Sequence, residues 1–146
     1  MMTGTSSQDL TRNLFQLLKQ FPRRKLKPTP GLTRSEQELI VTLAMNLNEN
    51  QKSLTVSAIS NLLRITPAGV THLLNPLEET GYIERLADSN DRRIVRIALT
   101  DKGTRESDEL MLELNQKVVE LIDLLGEEDS KTFFRLLSRA VEHFSA

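Results

Sequence analysis

The most constraining feature of this sequence is a pair of helix-start signals separated by a very short turn. Thr55 has the properties of an N-cap, and the helix behind it is expected to end near Leu63. Thr66 is a second N-cap, and Pro67 follows at the first helical position, where its missing N–H leaves no bond unmade. Two short helices joined in this way predict a helix-turn-helix, whose second helix should end at Gly81.

Directly after Gly81 the pattern changes from helical to alternating. Residues 82–86 and 93–99 are predicted to form two strands, and the polar residues 87–92 should connect them as a hairpin. A helix-turn-helix followed by a hairpin is a winged helix. The expected fold class is therefore mainly α with a small β-hairpin, a winged helix-turn-helix between N- and C-terminal helices.

Further helices are predicted on both sides of this unit. An amphipathic helix precedes Pro22, Thr33 and Glu36 have the spacing of a capping box, and Thr100 should cap a long helix that stops at Gly126. One more helix should follow to the chain end. We expect a single domain over 1–146, with a winged-helix lobe at about 33–100 and outer helices at about 8–31 and 104–146.

The outer helices carry more apolar side chains than one chain of this size can cover. We therefore expect them to bury against a second subunit. The predicted dimer contacts are Leu10, Leu14, Leu17, Phe21, Leu121, Leu125, Phe133, Leu137 and Phe144.

Charge is distributed unevenly along a chain whose net charge is only −1. Residues 1–54 hold eight Lys and Arg against four acids, whereas residues 106–146 hold four against ten. Any contact with phosphates is thus expected in the first two thirds of the chain. The chain has no cysteine, which excludes disulfides and thiolate sites, and no apolar stretch long enough to span a bilayer, so a cytoplasmic protein without a membrane partner is expected.

The helix behind Thr66 has two distinct faces. Val70, Leu73, Leu74 and Leu77 cluster in one arc that should face the core. The other arc is small or capable of hydrogen bonding, as base reading in the major groove requires. The candidate DNA-reading residues are Thr66, Pro67, Ala68, Thr71, His72 and Asn75. An ordinary solvent-facing helix would also explain this pattern.

The tip of the predicted hairpin carries the charged run Asp91, Arg92 and Arg93. An arginine at such a tip can reach into the minor groove, where narrow A·T tracts concentrate negative potential. Asp91 is placed to pair with the Arg93 guanidinium and hold its direction, and Arg92 between them is suited to a phosphate. The alternative is a surface ion pair of little energetic weight.

Catalysis and metal binding have little support in the sequence. No nucleophile and base pair, phosphate-cradling glycine loop or metal-ligand spacing occurs, so an enzyme is not expected and no cofactor is predicted. His72 and His143 are the only histidines, although carboxylates from two subunits remain as an alternative source of ligands.

Three segments make the sequence resemble the MarR family of bacterial transcription regulators. These are Gly31-Leu-Thr33, Leu77-Glu-Glu-Thr-Gly-Tyr-Ile-Glu-Arg85, and Asp88-Ser-Asn-Asp-Arg-Arg93 followed by Ala98-Leu-Thr-Asp-Lys-Gly103. The resemblance implies a homodimeric repressor on a pseudo-palindromic operator, with the Thr66 helix in the major groove and Arg93 in the minor groove. It also implies release from DNA by a small aromatic or phenolic effector.

The sequence departs from the family pattern in several places. His72 and Pro76 stand where the family often has basic residues, and the absence of cysteine removes the peroxide-sensing branch. Pro76 is also expected to kink its helix. The basic connector at 23–27 is a candidate replacement for lost phosphate contacts. The alternative function is a winged-helix module that binds protein instead of DNA. The acidic last third of the chain is more compatible with a protein partner than with DNA.

Overall fold

The computed structural model of the chain describes residues 6–20 and 27–146. In chain order its elements are α1 (Ser7–Gln20), α2 (Arg34–Asn46), β1 (Leu54–Thr55), α3 (Val56–Leu63), α4 (Pro67–Glu79), β2 (Ile83–Ala87), β3 (Val95–Leu99), α5 (Asp101–Leu125) and α6 (Glu127–Ser145). This arrangement confirms the predicted fold class. The predicted dimer residue Phe21, the helix-ending Pro22 and the basic residues of the connector at 23–25 lie outside the described residues.

Threonine caps start four of the helices, as their spacing predicted. Thr33 and Glu36 form a complete capping box, in which each side chain accepts a backbone N–H of the other residue. Thr55, Thr66 and Thr100 each accept an N–H three residues further on, at 3.1 Å in all three cases. Local hydrogen bonding therefore sets where α2, α3, α4 and α5 begin.

The sheet is larger than the predicted hairpin. It has three antiparallel strands in the order β1-β3-β2, with Leu54 opposite Ile97 and Thr55 opposite Arg96. The hairpin is present as β2 and β3, and a third strand, which was not predicted, forms because Leu54 and Thr55 pair with β3 before α3 begins. This short strand ties the start of the helix-turn-helix to the wing.

Both hairpin strands start later than predicted. Arg93 and Ile94 were expected in the second strand, which instead begins at Val95. Their N–H groups donate to the carboxylate and the carbonyl oxygen of Asp91, so they belong to the turn. Tyr82 precedes β2 because its N–H closes the end of α4, at 2.9 Å from the carbonyl oxygen of Leu77.

One apolar core holds the winged-helix part together. Its fully buried side chains come from α2, α3, α4 and the sheet, and they are Leu39, Ile40, Leu43, Ile59, Val70, Leu74, Leu77, Ile83 and Ile97. Among the described residues, α1 buries no side chain and α6 buries only Ser130. The core of the lobe therefore includes Leu110 of α5, whereas α1 and α6 present their apolar side chains to solvent in the isolated chain.

Candidate nucleic-acid interface

A left-handed residue makes the tight turn between α3 and α4. Arg64 has φ 54° and ψ 43°, and its N–H donates to the Ser60 carbonyl oxygen as the helix ends. This reversal lets Thr66 start α4 only two residues later. The helix then buries Val70, Leu74 and Leu77 in the core, with Leu73 packed against them, and this orientation matches the predicted apolar arc.

The opposite side of α4 is open to solvent. All six residues predicted to read DNA are exposed, namely Thr66, Pro67, Ala68, Thr71, His72 and Asn75. They come from the first three turns of a helix whose other side is fixed by the core. The structure thus brings the predicted set together on one accessible surface.

Besides Thr66, whose hydroxyl oxygen caps α4, two of these side chains are already partly engaged. The hydroxyl of Thr71 donates to the Pro67 carbonyl oxygen at 3.1 Å, so it is oriented to offer acceptor lone pairs outward. Asn75 accepts a hydrogen bond from the Arg85 guanidinium at 2.8 Å through Oδ1, which leaves its NH₂ group to donate. Arg85 also pairs with Glu78, and this contact between β2 and α4 was not predicted from sequence.

A cleft lies beside this face, between the start of α2 and α4. Its volume is about 490 Å³, and its lining includes Thr33, Glu36, His72, Asn75 and Pro76. Pro76 lies inside α4 with three residues of helix after it, and its carbonyl oxygen accepts from the N–H of Thr80. The predicted kink at Pro76 stays a prediction.

The wing presents Arg93 almost entirely to solvent. Its side chain is 90% exposed, yet the guanidinium donates to both carboxylate oxygens of Asp91, with Nε 3.1 Å from Oδ1 and Nη2 3.2 Å from Oδ2. The guanidinium of Arg93, with its backbone N–H, lowers the pKa of Asp91 below its usual value. Asp91 therefore stays ionised and holds Arg93 in one direction, as its spacing predicted, and the neighbouring Arg92 is also exposed.

Asp88 and Arg96 hold the base of the wing. One carboxylate oxygen of Asp88 accepts the N–H groups of Asn90 and Asp91 at 3.0 and 3.1 Å, and the other lies 3.3 Å from Arg96 Nη1. These backbone N–H groups are the main cause of the lowered pKa of Asp88, with Arg96 adding to it. Arg96 also donates to the hydroxyl and carbonyl oxygens of Ser53, at 2.8 and 2.9 Å.

This support was not predictable from the sequence because Ser53 and Arg96 are 43 positions apart. The alternation of strand residues put Arg96 on the face opposite to Ile97 and indicated nothing about its partner. An arginine within a predicted strand, near an acid eight positions earlier, was the only available signal.

A second exposed surface is apolar and lies on the outer helices. Six of the predicted dimer residues are between 39 and 79% exposed, and they are Leu10, Leu14, Leu17, Phe133, Leu137 and Phe144. Leu121 and Leu125 are half-buried. Apolar side chains that are exposed in such number mark an interaction surface.

Residues 6–20 and 27–146 contain no group of three or more His, Cys, Asp or Glu side chains that could hold a metal ion. Over the same ranges, no helix is both long enough and apolar enough to cross a membrane.

A helix-turn-helix with a wing beside its second helix defines this chain as a winged-helix protein. The model of the MarR family matches residues 41–95, which run from α2 to the start of β3. The chain is 31% identical to the transcriptional regulator PapX of Escherichia coli, over 79% of this chain and 68% of PapX. The chain therefore belongs to the MarR family.

Other proteins are similar to the chain in sequence or in fold. The regulator YwhA of Bacillus subtilis is 34% identical over 62% of this chain, and the match spans 65% of the length of YwhA. Streptococcus pneumoniae FabT in complex with DNA has the same fold, with a TM-score of 0.75 at 24% identity over 96% of this chain and 98% of that one. The complex of Staphylococcus aureus MepR with DNA gives a TM-score of 0.66 at 23% identity, over 97% and 99% of the two chains.

Proposed function

We propose that this protein is a sequence-specific regulator of transcription that binds double-stranded DNA as a homodimer. The observation that carries the proposal is the exposed face of α4 beside a wing arginine held by both oxygens of Asp91. A helix of this kind fits the major groove, and an oriented arginine next to it fits the adjacent minor groove. FabT and MepR share the fold and have structures with DNA, which supports the same mode here.

In the proposed complex the residues divide into three roles. The exposed residues from Thr66 to Asn75 read base edges, Arg93 enters the minor groove, and Arg92 contacts a phosphate. Two lobes of a dimer then read two half-sites about one helical turn apart, so the operator is pseudo-palindromic. Because the protein acts on bacterial DNA, its place of action is the cytoplasm, and repression follows when the operator overlaps a promoter.

The exposed apolar side chains of α1, α5 and α6 form the proposed dimer surface. The core of the winged-helix lobe takes Leu110 from α5 but no side chain from α1 or α6, so the apolar side chains of α1 and α6 are not needed to complete it. A C2 contact would cover the same apolar patch on both chains at once. The module that binds protein instead of DNA is not favoured, because the relatives named above are transcriptional regulators.

An effector would fit a second cleft, of about 430 Å³, between residues 27–30 and α5. Its lining includes Pro28, Leu110 and three glutamates, Glu106, Glu109 and Glu113. A small aromatic effector is therefore compatible with the cleft when it is neutral or cationic, whereas an ionised phenol would meet like charge.

The proposal is tested by selecting random duplex DNA with the purified protein at two salt concentrations. An enriched inverted repeat with half-sites about one turn apart is the expected result. Enrichment of no sequence, or binding that depends on salt alone, would refute sequence-specific regulation.

The two adjacent wing arginines then supply a matched pair of variants. Arg93→Ala should weaken operator binding by about 1–3 kcal/mol and relax sequence preference next to the half-site. Arg92→Ala should instead weaken binding to all sequences and reduce the salt slope by about one. Equal operator affinity of the Arg93→Ala variant and the wild type would exclude Arg93 from the minor groove.

A further inference from the structure

The first turn of α5 holds the corner between α4 and β2 at three consecutive carbonyl groups. The Thr80 carbonyl oxygen accepts from Lys102 Nζ at 2.6 Å, and the Gly81 carbonyl oxygen accepts from the Thr100 hydroxyl at 2.5 Å. The Tyr82 carbonyl oxygen accepts from the Thr100 N–H at 3.2 Å. All three donors belong to one turn, so the corner and α5 are joined as one unit.

Lys102 makes the contact that lies closest to α4. Thr80 is the residue directly after that helix, so the ammonium group sits at the negative end of the helix dipole. The same Nζ lies 4.3 Å above the centre of the Tyr82 ring, a cation–π geometry. Two attractive contacts thus fix one flexible side chain between α5 and the end of α4.

At the next residue, the backbone of α5 lies directly against the backbone of the corner. Gly103 lies against the carbonyl group of Tyr82, where a Cβ would collide with the backbone. The polar contacts of Lys102 therefore act across a fixed spacing between the two elements. A change in the direction of α4 relative to α5 would have to break them.

We propose that Lys102 is a positioning residue for operator reading, which sets the direction of α4 without touching DNA. The inference rests on the proposed function. Base-reading residues lie in the first three turns of α4, and the helix is about 20 Å long. A change in the direction of α4 at its Thr80 end therefore moves the base-reading residues at the other end. Hydrogen bonds from those residues to bases need an accuracy of about 0.5 Å.

The test compares Lys102→Met with Lys102→Arg and with Lys117→Met. Methionine keeps an unbranched side chain but removes the donor, whereas arginine keeps both charge and donor. Lys117 lies on the same helix, is 72% exposed and pairs with Glu120 at the surface, so its replacement controls for the loss of one charge. Each variant is titrated with the selected operator and with unrelated duplex DNA over a range of salt.

Lys102→Met should lose about tenfold in operator affinity, since one charge-assisted hydrogen bond no longer favours the reading direction. Its affinity for unrelated DNA and its salt slope should equal those of the wild type, and Lys102→Arg should recover most of the loss. A salt slope reduced by about one would overturn the proposal, because Lys102 would then be a phosphate contact. Unchanged operator affinity would overturn it as well.

A measurement without DNA separates this inference from the proposed function. The N–H groups of Thr80, Gly81 and Tyr82 pair with carbonyls in the last turn of α4, at 2.9 to 3.0 Å. Their hydrogen exchange should be faster in Lys102→Met and unchanged in Lys117→Met. Unchanged hydrogen exchange in both variants would refute the positioning role of Lys102. If exchange is faster in Lys102→Met but the wild type selects no operator, the proposed function is refuted and the contact between Lys102 and the end of α4 is retained.

Discussion

The clearest test of the fold is Gly103→Ala, at the point where α5 meets the corner after α4. An added Cβ would lie closer to the Tyr82 carbonyl oxygen than real Cβ atoms come. It would also lie 3.0 Å from the Tyr82 carbonyl carbon and 3.1 Å from Leu99 Cδ2. The obstacle is backbone that is itself hydrogen-bonded to Thr100, so it cannot turn aside as a flexible side chain would.

The expected loss of stability follows from two opposing effects. Overpacking of a filled site costs about 1–3 kcal/mol, and a backbone obstacle places this site near the upper value. Replacing a helical glycine by alanine returns up to about 1 kcal/mol through helix propensity. The net loss is about 2 kcal/mol, which corresponds to a fall in Tm of roughly 4–8 °C for a chain of this length.

Gly69→Ala is a closely matched control. Gly69 and Gly103 are both the third residue of a helix, and each donates its N–H to the threonine cap at 3.1 Å. A Cβ on Gly69 would meet Thr66 Oγ1 at 3.3 Å and Ile65 Cδ1 at 3.6 Å, both of which belong to side chains. Gly69→Ala should therefore leave Tm unchanged or raise it slightly.

The assay is thermal unfolding of the three proteins by circular dichroism, without DNA and at one protein concentration, because dimerisation makes Tm depend on concentration. The reasoning predicts opposite responses to the same substitution at two equivalent helix positions. Equal shifts in Tm for the two variants would refute it, since helix propensity would then account for both.

Two further predictions concern the dimer surface and the wing. Leu17→Glu should dissociate the dimer in sedimentation experiments, whereas Met45→Glu should not. The two side chains are almost equally exposed in the single chain, at 64% and 66%, so exposure alone would not separate the variants. If both variants form dimers of equal strength, α1 is not part of the dimer interface. The pKa values of Asp88 and Asp91 are lowered in the folded protein. The two carboxylates therefore stabilise the wing fully above the pKa of an unfolded aspartate, about 3.9, and this stabilisation is lost as the pH falls through their pKa values in the folded protein. In an NMR titration, Arg93→Ala should raise the pKa of Asp91 towards its usual value and leave the pKa of Asp88 unchanged. Equal changes in the two pKa values would contradict the assignment of the Asp91 pKa to Arg93 and of the Asp88 pKa mainly to backbone N–H groups.

The helices were predictable because their start signals are local. The N-caps at Thr33, Thr55, Thr66 and Thr100 each act over three residues, so the sequence alone contains the whole interaction. The face of α4 was predictable for a similar reason, because helical geometry alone puts its apolar residues on one side. Local rules therefore located both α4 and its exposed surface.

What the sequence did not indicate depends on contacts between distant residues. The strand at Leu54 is only two residues long and exists because it pairs with Ile97. Arg96 looked like any outward strand residue until the structure brought Ser53 to it. The second hairpin strand was predicted to begin at Arg93, which is two residues before its observed start at Val95. Alternation of side chains cannot show that the N–H of Arg93 donates to the Asp91 carboxylate instead of to a neighbouring strand.

The position of α5 explains why small changes at its first turn should matter for DNA binding. With 25 residues it is about 37 Å long, and its far end carries exposed apolar side chains such as Val119 and Ile122 that we assign to the dimer surface. Because α5 joins that surface to the corner after α4, the separation of two recognition helices in the proposed dimer depends on its direction. A tilt of about 5° over such a length moves one end by about 3 Å, several times the accuracy that base contacts need. Changes to the contacts of Lys102 and Gly103 should therefore reduce operator specificity more than they reduce the general attraction to DNA phosphates. Long-range electrostatic attraction tolerates displacements of this size, whereas base contacts do not.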